Sequence, residues 1–173
     1  MIAAFLQDDL AEDLKQLFAH FRLEDPDGNR RAINVYKQSL PIPEAEEIPD
    51  TVTDEELEEG IYDAKAKEAP FPYILVRLEQ GRIEVIDHEQ TVTVNLIIGV
   101  IDRNHNNQGH KDVLNVMQKI YERFAKNAIL AQKYECVMPI DWALQEEESF
   151  PYFFGGMALR FETAPIRRED PYA

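Results

Sequence analysis

The sequence predicts an α+β fold in which a mostly antiparallel sheet packs against two main helices, with a long acidic loop. Two segments place apolar residues at spacings of three and four, which is typical of amphipathic helices. Other segments alternate apolar and polar residues, and they mostly follow one another without helices between them. Such an order favours an antiparallel sheet over a parallel one. The length fits a single domain, residues 1–173.

The first element is an amphipathic helix that begins near the N-terminus. Its predicted buried stripe consists of Ile2, Phe5, Leu6, Leu10, Leu14, Leu17, Phe18 and Phe21. The turn-forming residues Asp25-Pro-Asp-Gly28 break the chain after it. Residues 33–40 then predict a short strand.

Residues 44–68 are strongly acidic. They contain eleven acidic residues and two lysines, a local net charge of -9 out of -15 for the chain. Because such a segment repels itself and buries little apolar surface, we expect a mobile loop. An electronegative arm that orders against a partner is the alternative. Residues 167–173 predict an exposed polar tail.

Two strands are predicted next. Residues 72–78 form one strand, residues 80–81 predict a turn, and residues 82–85 continue beyond it. Residues 91–101 alternate, but their second face is also partly apolar. We therefore expect this strand to be central and covered on both sides.

A helix of about five turns is predicted over residues 113–129 from its 3.6-residue period. Residues 134–144 then alternate strictly, which predicts a long strand with Met138 and Trp142 on one buried face. Pro139 lacks an N–H group, so this strand should lie at an edge or bend there.

Residues 150–162 predict the last strand, with Met157, Leu159 and Phe161 facing the core. Two consecutive glycines in this strand suggest a bulge or the close approach of another backbone.

Charge and composition exclude several classes of function. A net charge of -15 repels phosphate, which disfavours nucleic-acid binding and anionic membranes. The lone Cys136 excludes an intrachain disulfide and favours a reducing interior. The N-terminus lacks the basic start of a signal peptide, and no apolar run reaches the length of a membrane span. We therefore expect a soluble cytoplasmic protein.

The loop after residue 101 has the composition of a metal site. Asp102-x-Asn104-x-Asn106 resembles the start of a calcium loop, but Asn107 and Val113 replace the required glycine and glutamate. A small metal-dependent hydrolase that uses Asp102, His105 and His110 is an alternative, although the histidine spacing fits no zinc motif. We favour a polar elbow between strand and helix.

In such an elbow a polar side chain would cap the helix that opens at Lys111. Nucleophilic catalysis is also disfavoured, because Cys136 lies on an apolar strand face and the neighbouring Glu135 would raise its pKa. No Walker, dinucleotide or Gly-x-Ser-x-Gly motif is present. The sequence predicts no enzyme and no catalytic, cofactor-binding or metal-binding residue.

Aromatic residues next to two glycines suggest a surface for self-association, or else a wedge that closes the end of the core. Together with the polar elbow they form a hypothetical subunit interface. Its residues are Asp102, Asn104, Gln108, Tyr152, Phe153, Phe154, Gly155 and Gly156.

Four phrases in the second half of the chain resemble a known family: YILVRLEQG (73–81), VNLIIGVID (94–102), QGHKDVLNVMQKI (108–120) and PYFFGGM (151–157). They are similar to prophage-encoded tail morphogenesis proteins of the tail terminator or tail completion class. The resemblance implies a homo-oligomeric, hexameric ring that caps the tail tube and meets the head connector. The partners would be the chain itself, the tail tube protein and the head connector protein, while DNA passes without specific binding.

The same resemblance places the protein in the host cytoplasm during assembly and then in the virion tail or neck. A head-completion or neck connector protein is the nearest alternative. A monomeric regulator whose acidic loop mimics nucleic acid is a third possibility, besides the hydrolase.

Overall fold

The computed structural model describes residues 2–42 and 70–165. The predicted acidic loop (44–68) and the predicted exposed tail (167–173) lie outside these described residues.

The fold is α+β, as predicted. Its elements are α1 (Ile2–Leu17), β1 (Arg22–Glu24), β2 (Arg30–Ala32), β3 (Asn34–Lys37), β4 (Tyr73–Ile83), β5 (Gln90–Ile101), α2 (His110–Lys126), β6 (Ile129–Leu130), β7 (Tyr134–Leu144) and β8 (Tyr152–Thr163). The strands β1 and β2 form a small antiparallel hairpin that the sequence did not predict.

The other six strands form one sheet in the order β3-β4-β5-β8-β7-β6. Only β3 and β4 pair in parallel, so the sheet is mostly antiparallel. Strand β5 is central, as predicted. Within the described residues, however, both helices pack on the same face of the sheet, which we term the helix face. The opposite face, which we term the bare face, carries no described helix. The described helices therefore cover β5 on one side, and not on both sides as had been expected.

The helix α1 contributes Leu6, Leu10 and Leu14 to the core, and the buried Phe18 continues the same stripe. The prediction for Phe5 was wrong, because its side chain is 63% exposed. Gln7 is buried instead, and its Nε2 donates a hydrogen bond of 2.8 Å to the carbonyl oxygen of Val76 in β4.

The helix α2 buries Val113, Val116, Met117, Ile120 and Phe124 against the helix face. It begins at His110 and ends at Lys126, three residues earlier at each end than predicted, because Asn127 adopts an extended conformation. The side chain of Asn127 then accepts a hydrogen bond of 3.0 Å from the N–H of Ile129. No helix in the described residues is long and apolar enough to span a membrane.

The strand β4 is continuous, so the predicted turn at residues 80–81 was wrong. A register irregularity between Leu78 and Gln80 accommodates one extra residue, and pairing with β5 continues to Ile83. Bulges of this kind absorb a residue without ending the strand.

The bulge that was predicted at the glycines of β8 lies in β7 instead. Gly155 and Gly156 pair in regular register with Ile98 and Ile97 of β5. The irregularity falls between Val137 and Asp141, on either side of Pro139. The predicted edge or bend at Pro139 is therefore confirmed, and Met157, Leu159 and Phe161 face the core as predicted.

Candidate interaction surfaces

The polar elbow after β5 is ordered by hydrogen bonds between its own side chains and its own backbone. The side-chain oxygen of Asp102 accepts the N–H of Asn104 at 2.9 Å. The side chains of Asn104 and Asn106 repeat this two residues further on, each at 3.1 Å. The alternating acid and amide residues therefore form a series of Asx turns that satisfy N–H groups of the loop.

The predicted side-chain cap of α2 is absent. Gly109 occupies the cap position, and the N–H of Lys111 donates to the backbone carbonyl of Gln108 at 3.0 Å. A Cβ atom at Gly109 would collide with the ring of Phe153. The close packing of this ring requires glycine, which excludes a capping side chain at this position.

Arg103 ties the elbow to the β1–β2 hairpin, a role that the sequence did not reveal. Its guanidinium donates to Glu24 Oε1 at 2.6 Å and also to the carbonyl oxygens of Asp25 and Pro26. The turn between β1 and β2, which Arg103 contacts, is itself ordered, because Asp25 Oδ1 accepts hydrogen bonds from the N–H groups of Asp27 and Asn29. The sequence around Arg103 does not indicate that its partners lie in the β1–β2 hairpin, far away along the chain.

The residues of the hydrolase alternative do not gather around a common point. In the described parts of the chain, no group of three or more His, Cys, Asp or Glu side chains could hold a metal ion. The ring of His105 stacks on Phe150, with centroids 6.4 Å apart. Partial burial raises the pKa of Asp112, and the nearby carboxylate of Asp102 raises it further.

Cys136 is buried, as predicted. Burial raises the pKa of its thiol to about 11, and the neighbouring Arg123 offsets this only partly. The dominant cause is thus burial, where the sequence had suggested Glu135. A protonated, buried thiol is a poor nucleophile.

The two halves of the predicted interface meet at one end of the sheet. Tyr152 pairs with Ile101, and the N–H of Asp102 donates to the carbonyl of Pro151 at 2.9 Å. The ring of Phe71 lies 5.0 Å from that of Tyr152 and 5.8 Å from that of Phe154. We term this cluster the aromatic end; it comprises Phe71, Phe150, Tyr152, Phe153 and Phe154.

Much of the aromatic end is used within the chain. Phe153 packs against the core, and Phe153 and Phe154 are both half-buried. Tyr152 is 38% exposed and Phe150 47% exposed. Phe153 and Phe154 therefore form a wedge that closes the end of the core, which was one of the two alternatives. Tyr152 and Phe150 still face solvent.

Gly155 is buried beneath α2. A Cβ atom there would lie 2.5 Å from Met117 Cε and 2.8 Å from Val113 Cγ1. At Gly156 the nearest atom, the carbonyl oxygen of Leu96, would be 3.6 Å away. The predicted close approach of another backbone is found at Gly155, where the carbonyl oxygen of Ala143 would lie 3.1 Å from a Cβ atom, but the nearest atoms there are side-chain atoms of α2. Gly156 has no contact as close.

The second surface lies along β7, where the predicted buried face continues in the partly buried Ile140 and Leu144 but was wrong for Met138 and Trp142. Met138 is 58% exposed and Trp142 is 60% exposed. An apolar groove of about 520 Å³ runs between α2 and β7, lined by Leu114, Tyr121, Ile140 and Trp142 among others. The pattern of alternation correctly indicated which face these residues share, but no described element covers them.

The backbone of β7 is also open here. Strand β6 pairs only with Tyr134 and Glu135, and the N–H of Cys136 donates to Ala128. The carbonyl of Pro139 accepts a hydrogen bond from Arg160 at 2.8 Å. Beyond it, residues 140–144 face no other described strand on their outer side, and we term them the open β7 edge.

A second open edge lies at the other side of the sheet. Strand β3 covers Tyr73–Val76 of β4, and the side chain of Gln38 bonds to the N–H of Leu78 at 3.1 Å. Residues 79–83 have no described strand on their outer side, and we term them the open β4 edge. The connection that follows exposes further apolar residues, Val85 and Ile86.

No family model matches the chain, and no curated protein matches it significantly.

Proposed function

We propose that this protein is a non-enzymatic structural component of a phage tail, of the tail-terminator type. In this proposal its copies form a ring that caps the tail tube and joins it to the head connector. It acts in the host cytoplasm during assembly and stays at the junction of tail and neck.

The observation that carries the proposal is the pair of open edges on one sheet. Proteins that remain monomeric normally block such edges, because free N–H and C=O groups pair readily with another strand. Here one open edge also carries the exposed Trp142, and the other ends at the exposed Ile83. Large exposed apolar side chains at a free edge favour a protein that associates with copies of itself.

Two different edges favour a ring or a chain of copies over a two-fold dimer. A contact between unlike surfaces leaves each new copy with one free surface, so assembly continues until rotation closes it. The net charge of -15 would keep passing DNA from adhering to the assembly. The tube and the connector as partners come from the resemblance of the four phrases in the second half.

The first test is the mass of the purified protein across a range of concentrations, measured by analytical ultracentrifugation. We expect a closed species at six times 20.0 kDa, and ring-shaped particles in electron micrographs. The second test adds the tail tube protein from the same genome. We expect this protein at tube ends, with tubes that stop growing.

A protein that stays monomeric at high concentration and binds no tube end would overturn the proposal. Binding to the portal or connector alone, without the tube, would also overturn it and would identify a neck connector protein.

A further inference from the structure

We propose that the open β7 edge of one copy pairs antiparallel with the open β4 edge of the next, so that one sheet continues from subunit to subunit. This inference rests on the proposed self-assembly and identifies the surfaces that carry it. The occupant of the β7 edge is thus a second copy of this chain.

Strand direction fits this arrangement. Successive strands β4, β5, β8 and β7 are all antiparallel to their neighbours, so β4 and β7 run in opposite directions. A second copy that presents the same face therefore places its β4 antiparallel to β7 of the first. Antiparallel pairs form the more stable hydrogen-bond pattern.

The lengths of the two edges also fit. Strand β3 covers the beginning of β4, and β6 covers the beginning of β7, so both open lengths lie in the second half of their strands. When residues 79–83 pair antiparallel with residues 140–144, β3 of one copy lies beyond the end of β7 in the other. The short outer strands therefore do not compete for the same edge.

Full overlap of the two edges pairs side chains of matching character. On the helix face, Ile83 lies opposite Ile140, and Gly81 lies opposite Trp142. These residues share that face because Gly81 pairs with the buried Val92, and Trp142 pairs with the buried Met157. A glycine opposite an exposed indole leaves room for the ring to lie across the strand.

On the bare face, the same register places Arg82 opposite Asp141. Arg82 pairs with Thr91 and Asp141 with Ala158 within their own sheet, which fixes both on this face. The exposed Arg77, just before the open β4 edge, approaches the acidic turn at residues 146–148 that follows β7. Opposite charges directly across a strand pair stabilise it by about 0.2–1 kcal/mol.

Pairing of two β7 edges with each other is the main competing arrangement. It would close after two copies and leave both β4 edges open. It would also lose the contact between Arg82 and Asp141.

Crosslinking between two differently labelled chains separates these arrangements. One chain carries Gln80→Cys and the other Ala143→Cys, both with Cys136→Ala to remove the native thiol. Both new thiols lie on the bare face and are opposite each other in the proposed register, within the reach of a disulfide. We expect at least about tenfold more disulfide-linked dimer in the mixture than in either chain alone.

The matched control replaces Gln80→Cys with Glu162→Cys. Glu162 is exposed on the same face, but β8 lies inside the sheet between β5 and β7. A thiol there should form no dimer with Ala143→Cys. Crosslinking of the Ala143→Cys chain with itself would overturn the inference in favour of β7–β7 pairing.

A charge exchange tests the register independently. Arg82→Asp and Asp141→Arg should each weaken association at least about fivefold, because like charges then face each other. The chain that carries both substitutions should recover part of this loss, because the charge pairs of residue 82 with Glu84 and of residue 141 with Arg160 within each chain remain unfavourable. Equal and additive losses would contradict the pairing of these two residues.

The outcomes distinguish this inference from the proposed function. A ring without the Gln80–Ala143 crosslink overturns the edge pairing and leaves the function standing. A crosslinked open polymer that binds no tube end supports the edge pairing and overturns the function. A protein that is monomeric throughout overturns both.

Discussion

The aromatic end and the open β7 edge are both rich in exposed aromatic side chains, but they differ in what lies around them. At the aromatic end, rings contact one another and the core, and Phe153 even determines that residue 109 is glycine. Along β7, Trp142 stands beside a groove and a free backbone edge. Aromatic content alone therefore does not distinguish a packed cluster from a free surface, whereas unpaired backbone beside exposed apolar side chains is typical of a free surface.

The difference has a simple physical basis. Rings that already pack against a core gain little further burial from a partner. A side chain that is 60% exposed, such as Trp142, can still lose most of its contact with water. The aromatic end should thus contribute mainly to the stability of the monomer, and the β7 edge mainly to association.

Gly155 provides the largest expected effect on the stability of the monomer. Gly155→Ala places a Cβ atom 2.8 Å from Cγ1 of the β-branched Val113 and 3.1 Å from the carbonyl oxygen of Ala143, so the packing of α2 on β8 must adjust. We expect a loss of about 1–3 kcal/mol in the free energy of unfolding, measured by urea denaturation. Gly156→Ala is the control and should change stability far less, because its Cβ meets nothing closer than 3.6 Å. Equal losses would show that α2 does not rest on Gly155.

Glutamate substitutions compare the two surfaces directly. Trp142→Glu should weaken self-association by about 2 kcal/mol, about thirtyfold, with the monomer still folded. Phe150→Glu introduces the same charge at the aromatic end, where the side chain is 47% exposed, and should weaken association much less. Sedimentation at several concentrations measures both effects. The reverse ranking would make the aromatic end the interface.

Arg103 has a smaller, purely structural role at the aromatic end. Arg103→Ala removes the hydrogen bonds that join the elbow to the β1–β2 hairpin, and we expect a loss of about 1 kcal/mol in stability. Arg82→Ala is a suitable control in the dissociated chain, because the described contact of Arg82 there is an exposed ion pair with Glu84, worth little in stability. Thermal unfolding at low protein concentration distinguishes the two. No loss in Arg103→Ala would mean that the elbow is not anchored through this side chain.

Asp112 gives the smallest effect, and the size of this effect depends on pH. The pKa of this carboxyl is raised in the folded protein by burial and by Asp102, so its ionisation destabilises the fold. Stability should therefore fall as pH rises from the ordinary aspartate pKa through the raised one. Asp112→Asn should be slightly more stable than the parent at neutral pH and equal to it in acid. A variant that is less stable at neutral pH would contradict this.

The parts of the fold that the sequence predicted are those where a period reports burial. Leu6, Leu10 and Leu14 at helical spacing, and Met157, Leu159 and Phe161 at strand spacing, all lie in the core as predicted. Such a period shows which side of an element faces the core. It does not show where the covering partner ends.

That limit explains the errors. Phe5 continues the stripe of α1 and Trp142 continues the alternation of β7, yet both are exposed, because no described element lies over them. The glycines of β8 indicated that a Cβ atom is excluded there. Only the position of α2 shows that this holds for Gly155 and not for Gly156. Arg103 and Glu24 are 79 residues apart, and no local pattern joins them.

The contacts between residues 2–42 and residues 70–165 have a consequence for how the chain could be divided. Strand β3 pairs with β4, Gln7 bonds to Val76, and Arg123 forms an ion pair with Asp13, so the two parts share a core, a sheet and charged contacts. None of these contacts runs through the covalent connection between Ile42 and Pro70. Two fragments divided there would carry complementary halves of one interior, and mixing them would reassemble the native protein by complementation.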